Sequence, residues 1–202
     1  HYCQFDIRKY FDSIDHAVLM GMLEKTFKDP VLLHIFRKIV KTYQTLPGKG
    51  LPIGNLTSQY FANHYLGHID HFVKQQIRIK GYVRYMDDFI IWGDDLGMLK
   101  NAAKIIEDEL YRKLHVSLKT KTIKGTQQGL HFLGYRLFPH KILLSRRSKK
   151  RFSEKMKTYA LQFRMQNISE AEYQERLTAA TAFTQYAASA GFRKHVLIYT
   201  GQ

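Results

Sequence analysis

The sequence has little cysteine, few acidic residues and no long apolar run. Its single cysteine, Cys3, excludes an internal disulfide and suits a reducing, cytoplasmic environment. No segment reaches the roughly 18–20 apolar residues that a membrane span needs, and the chain does not open with a signal peptide. We therefore expect neither a secreted disulfide scaffold nor a membrane protein.

Acidic residues are scarce relative to basic ones. The chain has 32 lysines and arginines against 17 aspartates and glutamates, which gives a formal net charge of +15. Such an excess is typical of surfaces that bind a polyanion, most often a nucleic acid, although a basic surface can also be merely solvated. With 202 residues, of which 45% are hydrophobic, the chain is long enough to bury a sizeable core.

The most informative stretch is residues 81–93, GYVRYMDDFIIWG. Two runs of β-branched and aromatic residues flank adjacent carboxylates, which predicts a β-hairpin with Asp87 and Asp88 at its tip. Adjacent carboxylates repel each other unless a cation neutralises them, and hard divalent cations prefer carboxylate oxygens. We therefore interpret the tip as half of a metal site.

A third carboxylate is expected from another β-prone run, YCQFDI, which contains Asp6. Phosphoryl-transfer enzymes commonly hold two magnesium ions about 3.5–4 Å apart between such carboxylates. Successive strand residues point to opposite faces, so Asp87 and Asp88 cannot face a metal equally. Asp6 and Asp87 are predicted as the main ligands, and Asp88 as a weaker one.

These residues resemble motifs A and C of a reverse transcriptase palm, because FDIRKYFDSIDH at residues 5–16 precedes YMDD at residues 85–88. The resemblance implies an RNA-directed DNA polymerase that uses two Mg²⁺ ions, with Mn²⁺ as a substitute. It also implies an RNA template, a DNA or RNA primer and deoxynucleoside triphosphates as partners. The implied metal-contacting residues are Asp6, Ile7, Asp87 and Asp88.

The same resemblance assigns roles around these acids. Phe11, five positions after Asp6, is implied to lie beneath the nucleotide sugar and to clash with a 2′-hydroxyl; the alternative is a core role. Tyr85 and Met86 are implied to contact nucleic acid. Asp12 and Asp15 are interpreted as turn and helix-cap residues.

Residues 48–63, GKGLPIGNLTSQYFAN, combine a glycine-rich loop with a long amphipathic helix whose predicted cap is Thr57 or Ser58. The stretch resembles motif B, which contacts the template and the incoming nucleotide, and glycine allows close backbone approach. Nucleotide contacts are thereby implied for Ile53 and Gly54. Contacts to nucleic acid are implied for Asn55, Ser58 and Gln59.

Motif B departs from the usual pattern of the family, which reads Gln-Gly and closes with Ser-Pro. This chain has Ile53-Gly54 and Ser58-Gln59. The departure resembles the reverse transcriptases of diversity-generating retroelements, which work with a small basic accessory protein and a structured template RNA. Apolar Ile53 in place of glutamine then implies weaker discrimination at template adenines.

A strand predicted at residues 116–123 resembles motif D, in which a lysine approaches the triphosphate. Lys121 is the preferred residue and Lys119 the alternative, because alternation places both on one side. Residues 129–137, GLHFLGYRL, resemble motif E, the hairpin that grips the primer terminus. Nucleic-acid contacts are implied for its residues Leu133, Gly134 and Tyr135.

The composition changes at Ser145, after which basic residues become dense. Apolar residues recur beneath them at helical spacing, which predicts a basic amphipathic helix suited to duplex phosphates. Another helix is predicted from the capping box of Ser169 and Glu172. The basic residues taken as nucleic-acid-binding are Arg146, Arg147, Lys149, Lys150 and Arg151.

The predicted fold is α+β: a right-hand polymerase palm over residues 1–144, with an antiparallel sheet backed by helices, and a small α-helical thumb over residues 145–202. The fingers are expected to be largely missing, so that the chain is expected to bind duplex and metal without polymerising efficiently. The other predicted elements are a strand at residues 2–8 and helices at residues 16–28, 31–44 and 97–114.

Three other functions remain open. A group II intron or retron-like reverse transcriptase is disfavoured by Ser58-Gln59, and a non-catalytic RNA-binding palm scaffold by the retained carboxylates. A two-metal nuclease lacks an obvious water-activating base. His64, His68 and His71 have a spacing that could bind zinc, but without a clear fourth ligand solvated or polar-packed histidines are preferred.

Overall fold

The computed structural model of the chain describes residues 1–201, and for residues 199–201 it describes the backbone alone. The fold is α+β, as predicted, and it divides into two compact units, His1–Lys124 and a second unit that begins at Gly125. The three strands after Gly125 thus group with the C-terminal helices, whereas the predicted boundary between palm and thumb lies at residues 144/145. Within residues 1–201, none of the helices is both long enough and apolar enough to cross a bilayer.

The first unit is a four-stranded antiparallel sheet with helices packed on it, and its strand order is β2-β3-β1-β4. A π-helical segment, Phe72–Gln76, follows the long fourth helix. Its other elements are β1 (Tyr2–Ile7), α1 (Tyr10–Ser13), α2 (His16–Thr26), α3 (Pro30–Lys41), α4 (Leu56–His71), β2 (Gly81–Tyr85), β3 (Asp88–Trp92), α5 (Leu96–Leu114) and β4 (Leu118–Lys124).

The central strand β1 separates a buried face from a polar one. Cys3, Phe5 and Ile7 are buried in the main core, whereas Gln4 and Asp6 between them are only half-buried. The Phe5 ring stacks on Phe89 of β3, with 4.5 Å between the ring centroids. Burial of the odd-numbered residues therefore fixes Asp6 on the other face of the sheet.

The helix ends follow local capping chemistry, with one exception. Asp15 caps α2 as predicted, because its carboxylate accepts from the backbone N–H groups of Ala17 and Val18. The predicted cap of α4 is wrong: this helix begins at Leu56 with Asn55 before it, and Asn55 makes no side-chain capping hydrogen bond. The helix therefore starts earlier than the Thr57 or Ser58 cap requires.

The second unit contains a three-stranded antiparallel sheet of order β5-β6-β7 and three helices. Ser145 and Ser169 cap the first two helices through their hydroxyls, and the bond from the Glu172 N–H to Ser169 is half of the predicted capping box. The elements are β5 (Leu130–Phe132), β6 (Tyr135–Phe138), β7 (Lys141–Leu144), α6 (Arg146–Arg164), α7 (Glu170–Ala182) and α8 (Ala190–Gly201).

Candidate active site

The predicted carboxylate hairpin is confirmed. Tyr85 of β2 pairs with Asp88 of β3, so a two-residue turn, Met86 and Asp87, joins the strands. Met86 has φ 57°, a left-handed conformation that non-glycine residues rarely adopt. The turn that carries the acids is therefore held in a strained backbone geometry.

The sheet brings Asp6 and Asp88 together. They are direct partners in the antiparallel ladder between β1 and β3, so their side chains project from the same face with Cβ atoms about 4.5–5.5 Å apart. Asp87 precedes Asp88 in the turn, and Gln4 Nε2 donates a 3.0 Å hydrogen bond to Asp88 Oδ1. The acids predicted as metal ligands thus lie at one end of the sheet.

The electrostatics of this end favour an added positive charge. Burial raises the pKa of Asp88, and the carboxylates of Asp6 and Asp87 raise it further against the lowering effect of the Gln4 hydrogen bond. Within residues 1–201, no three histidine, cysteine or acidic side chains stand in an arrangement that could hold a metal ion. The donor set still fits a hard divalent cation in its chemistry, because it offers carboxylate oxygens whose mutual repulsion such an ion would relieve. The Ile7 side chain is buried in the core, so only its backbone could contribute.

The two candidate lysines of β4 have different partners. The register between β1 and β4 shifts between Asp6 and Ile7, because Asp6 pairs with Thr120 and Ile7 with Leu118. This bulge leaves Lys119 unpaired in the ladder, and its Nζ lies 3.5 Å from Asp6 Oδ2.

Lys121 forms its ion pair with Glu107 on α5, the helix that packs against the sheet. Its ladder partner is Phe5, which is fully buried. The expectation that Lys119 and Lys121 share a side is therefore not met, because one extra residue in a bulge interrupts strict alternation.

Motif B presents most of its predicted contact residues to solvent. Ile53 is 80% exposed, and Asn55 and Gln59 are exposed as well. Gly54 has φ +102° and no atom within 4 Å of the position of an added Cβ, so glycine is required there by the backbone conformation and not by lack of space.

Ser58 does not reach the surface. It is 1% exposed, because it shares a helix face with the fully buried Ala62 and Tyr65, four and seven residues further on. Its hydroxyl is one of two buried side-chain groups of the described residues that lack a hydrogen-bond partner, the other being His64 Nε2. The predicted contact between Ser58 and nucleic acid is thus not available in this conformation.

The aromatic and histidine residues in this unit make specific protein contacts. Phe11 is half-buried and packs against the main core beside Tyr10, with ring centroids 5.9 Å apart, so its role beneath a sugar stays a prediction. His68 Nε2 lies 2.7 Å from Glu109 Oε1, and His71 Nδ1 lies 3.1 Å from Gln75 Nε2. These two histidines are polar-packed, each with its own partner.

Sequence reasoning missed Arg84, which precedes the tyrosine of the YMDD stretch. Its guanidinium binds Asp70 on α4 and the carbonyl of Met86 in the turn. A charged residue inside a predicted strand, only three positions before Asp87, is the signal that could have found it.

In the second unit, the motif E turn has the required backbone. Leu133 and Gly134 have φ values of 49° and 85°, which a two-residue hairpin turn of this kind needs at both positions. Leu133 is 44% exposed, whereas the Tyr135 hydroxyl donates to the carbonyl of Phe183 at 2.5 Å. The basic residues Arg146, Arg147, Lys149, Lys150 and Arg151 of α6 are all exposed.

Comparison with known proteins gives consistent matches. A family model described as reverse transcriptase (RNA-dependent DNA polymerase) matches residues 1–137. The group II intron-encoded protein LtrA of Lactococcus lactis subsp. cremoris is 24% identical in an alignment of 203 positions, and the alignment covers 93% of this chain and 33% of that protein.

Solved structures of telomerase are also similar. Telomerase from Candida albicans, solved with a TWJ fragment of telomeric RNA, matches with a TM-score of 0.58 at 15% identity, over 79% of this chain and 34% of that one. Apo telomerase from Candida tropicalis, truncated from its C-terminal domain, matches with a TM-score of 0.53 at 14% identity, over 71% and 35%. These likenesses bear on the fold, and the chain spans about a third of the length of the relatives it matches.

Proposed function

The chain belongs to the reverse transcriptase family, and from this premise we propose that it acts as an RNA-directed DNA polymerase by two-metal nucleotidyl transfer. The observation that carries the proposal is the ladder pairing of Asp6 with Asp88, beside Asp87 in the turn. Members of the family generally use divalent metal ions. Neither a pure RNA-binding scaffold nor a solvated turn requires three acids at one end of a sheet.

Asp6, Asp87, Asp88 and the backbone of Ile7 would hold the two metal ions, with Mg²⁺ as the first choice and Mn²⁺ as a substitute. The ions would supply activation of the primer 3′-hydroxyl and charge neutralisation at the phosphate. The half-buried position of Asp88 limits access of water to its own carboxylate. Gln4, which bonds one Asp88 oxygen, leaves the other oxygen available.

Lys119 is the better candidate for the lysine that approaches the triphosphate. It lies on the same side as Asp6, within 3.5 Å of that carboxylate, whereas Lys121 is paired with a helix on the core side of the sheet. A lysine beside the acids can stabilise the negative charge of the triphosphate or donate a proton to the departing pyrophosphate.

The other substrate contacts are assigned to residues of the motifs that the chain resembles. Phe11, Ile53 and Gly54 are proposed to contact the nucleotide, and Tyr85 and Met86 the primer terminus. Asn55 and Gln59 are proposed to contact the RNA template. The duplex phosphates are assigned to the exposed basic residues of α6, and motif E to the primer.

The finer assignment is to the diversity-generating type, with error-prone synthesis of cDNA and a small basic accessory protein as a partner. The exposure of apolar Ile53, at 80%, supports this assignment, because no polar side chain stands there to bond the nascent base pair. A cytoplasmic location is part of the proposal, supported by the single cysteine, Cys3, which is buried and leaves the chain without an internal disulfide.

A group II intron-type enzyme is the second candidate. The likeness to LtrA over 93% of the chain favours it. The two types differ in fidelity, because weaker hydrogen bonding at the nascent pair lowers discrimination between nucleotides.

The test is primer extension on an RNA template with all four bases and Mg²⁺, by the protein with its fingers segment included, beside the double variant Asp87→Asn, Asp88→Asn. Extension by the wild type alone, with errors concentrated opposite template adenine, is the expected result. Accurate extension would instead favour assignment to the intron or retron type of reverse transcriptase. If the protein binds RNA but neither extends the primer nor binds Mg²⁺, the proposed polymerase activity is contradicted. The non-catalytic RNA-binding scaffold would then be the remaining function.

A further inference from the structure

Arg84 connects two parts of the first unit that are distant in sequence. Its side chain is only 12% exposed. Nε donates to Asp70 Oδ1 at 2.7 Å and Nη2 donates to Asp70 Oδ2 at 2.5 Å, a bidentate pair with the C-terminal half of α4. Bidentate pairs of this kind fix the orientation of both groups as well as attracting them.

The third nitrogen of the same guanidinium binds the carboxylate turn. Arg84 Nη1 donates to the carbonyl of Met86 at 3.0 Å and to Asn63 Oδ1 at 3.1 Å. Asn63 and Asp70 lie seven residues apart on α4, two helical turns along one face. One side chain therefore bonds the turn to the helix at two levels.

The bond reaches the residue whose backbone is strained. Met86 has φ 57°, and such conformations persist only where surrounding contacts hold them. The β-hairpin pairing ends at Tyr85 and Asp88, so it does not itself restrain the Met86 carbonyl. Arg84 donates to that carbonyl and, through the same nitrogen, to Asn63 of α4, so its guanidinium bridges the turn to the helix.

We propose that Arg84 is a positioning residue, which holds the Met86–Asp87 turn against α4 and so fixes the carboxylates of Asp87 and Asp88 relative to the motif B loop at the start of that helix. The inference rests on the proposed polymerase function for its catalytic consequence. The restraint of the turn by Arg84 does not depend on that proposed function. Arg84 itself touches neither substrate nor metal in this account.

The alternative hypothesis is that Arg84 forms only an ordinary structural ion pair with Asp70, and it predicts a different result. If Arg84 only stabilised the fold, its loss would lower stability without a specific effect at the turn. Lysine at position 84 separates the cases, because its single ammonium keeps the charge near Asp70 but cannot form the planar fork that reaches Asp70 and the Met86 carbonyl together.

Two matched controls are available in the chain. Tyr82→Phe removes the 2.6 Å bond from the Tyr82 hydroxyl to Asp70 Oδ1, which involves the same acceptor but not the turn. Arg176→Lys makes the same substitution at an arginine that bonds Glu172 and Gln162 in the second unit. Asp70→Asn tests the same Arg84–Asp70 interaction by changing the acceptor, and it keeps the size of the side chain.

The primary measurement is amide hydrogen–deuterium exchange of the peptide spanning residues 81–92, together with thermal unfolding of each variant. We expect Arg84→Lys, and to a smaller extent Asp70→Asn, to speed exchange around Met86–Asp88 at least tenfold while the melting temperature stays close to that of the wild type. Tyr82→Phe and Arg176→Lys should leave this exchange unchanged. Equal exchange in Arg84→Lys and wild type, or an equal rise in Tyr82→Phe, would overturn the inference.

Steady-state primer extension by the protein with its fingers segment included supplies the catalytic readout. We expect Arg84→Lys to lower kcat about 10- to 100-fold, as small misplacements of reacting groups do, with little change in the KM for the primer–template duplex. A rise in that KM with unchanged kcat would contradict a role at the carboxylates. Absence of extension by the wild type would defeat the proposed function, and the exchange experiment would still decide whether Arg84 restrains the turn.

Discussion

At the scale of single residues, the position of a charge relative to the sheet decides its role. Lys119 and Lys121 are separated by one residue, yet one pairs with Asp6 and the other with Glu107 on α5. The bulge at Lys119 is responsible, because bulges redirect side chains and are frequent beside active sites. Of these two lysines, Lys119 is therefore the one whose ammonium group lies beside Asp6.

The two lysines can be separated by matched substitutions. We expect Lys119→Met to lower kcat for primer extension at least about tenfold, since a positioned proton donor contributes roughly 10²- to 10⁴-fold. Lys121→Met should leave kcat within about twofold and change the free energy of unfolding by less than about 1 kcal/mol, as expected for a partly exposed ion pair. Steady-state extension would measure kcat, and urea unfolding would measure the free energy of unfolding. A larger loss of kcat in Lys121→Met would restore Lys121 to the motif D role.

At the scale of secondary-structure elements, helix and turn ends tie the framework together. Asp15 caps α2, and its Oδ2 also lies 3.1 Å from Nδ1 of His115, the residue that follows α5. Burial raises the pKa of Asp15, but the hydrogen bonds from His115 and from the backbone of Val18 and Ala17 outweigh it, so the pKa is lowered overall. The ionised form of Asp15 is thus favoured by folding.

This shift predicts how stability depends on pH. Because the folded-state pKa lies below the unfolded value of about 3.9, Asp15 stabilises the fold above that pH, and the contribution is lost as pH falls through the folded value. Asp15→Asn retains a capping side chain without the charge. The difference in unfolding free energy between wild type and Asp15→Asn should therefore be largest above about pH 5 and shrink below about pH 3. A difference that is constant across this range in urea titrations would contradict the prediction.

The motif E turn depends on a glycine for two reasons. Gly134 has φ +85°, and a Cβ there would lie 2.9 Å from Ser148 Oγ and 3.0 Å from Phe183 Cζ. We expect Gly134→Ala to destabilise the second unit by about 1–3 kcal/mol, from backbone strain and crowding together. Thermal unfolding would measure the loss. Gly125→Ala is the control, since Gly125 has an ordinary negative φ and nothing within 4 Å of the added Cβ; a comparable loss there would refute the explanation.

At the scale of the whole molecule, nearly half of the net charge of +15 lies in α6, which has eight basic residues and one acid, Glu154. The helix α6 buries Phe152, Met156 and Ala160 and leaves its basic side chains exposed. Phosphate contacts of this kind release counterions, so their number can be read from the salt dependence of binding. Charge at this scale controls affinity and association, and it does not select the fold.

The triple variant Arg146→Gln, Lys149→Gln, Lys150→Gln tests this helix. If all three side chains contact phosphates, the slope of log affinity against log salt should become shallower by up to about 2.7. The control variant Lys100→Gln, Lys104→Gln, Lys113→Gln removes the same charge from exposed positions of α5. Fluorescence anisotropy with a labelled RNA–DNA duplex measures the slope. Equal effects of the two variants would mean that net charge alone, and not α6, sets the affinity.

Local patterns in the sequence were enough for the hairpin that carries Asp87 and Asp88, for the cap at Asp15 and for the basic helix α6. Each of these depends on residues close together in the chain: alternation in strands, a carboxylate before a helix, or apolar residues at helical spacing. The helix spans at residues 16–28, 31–44 and 97–114 also came within about three residues of the observed bounds.

Only the tertiary structure decided which distant residues meet. The pairing of Asp6 with Asp88, the bulge that separates Lys119 from Lys121, the burial of Ser58 and the bonds of Arg84 were not readable from the chain. All four depend on how segments far apart in sequence pair and pack, and one residue of register moves every side chain of a strand to the other face. The sequence by itself determined the chemistry of the site, and the pairing of strands and helices determined its geometry.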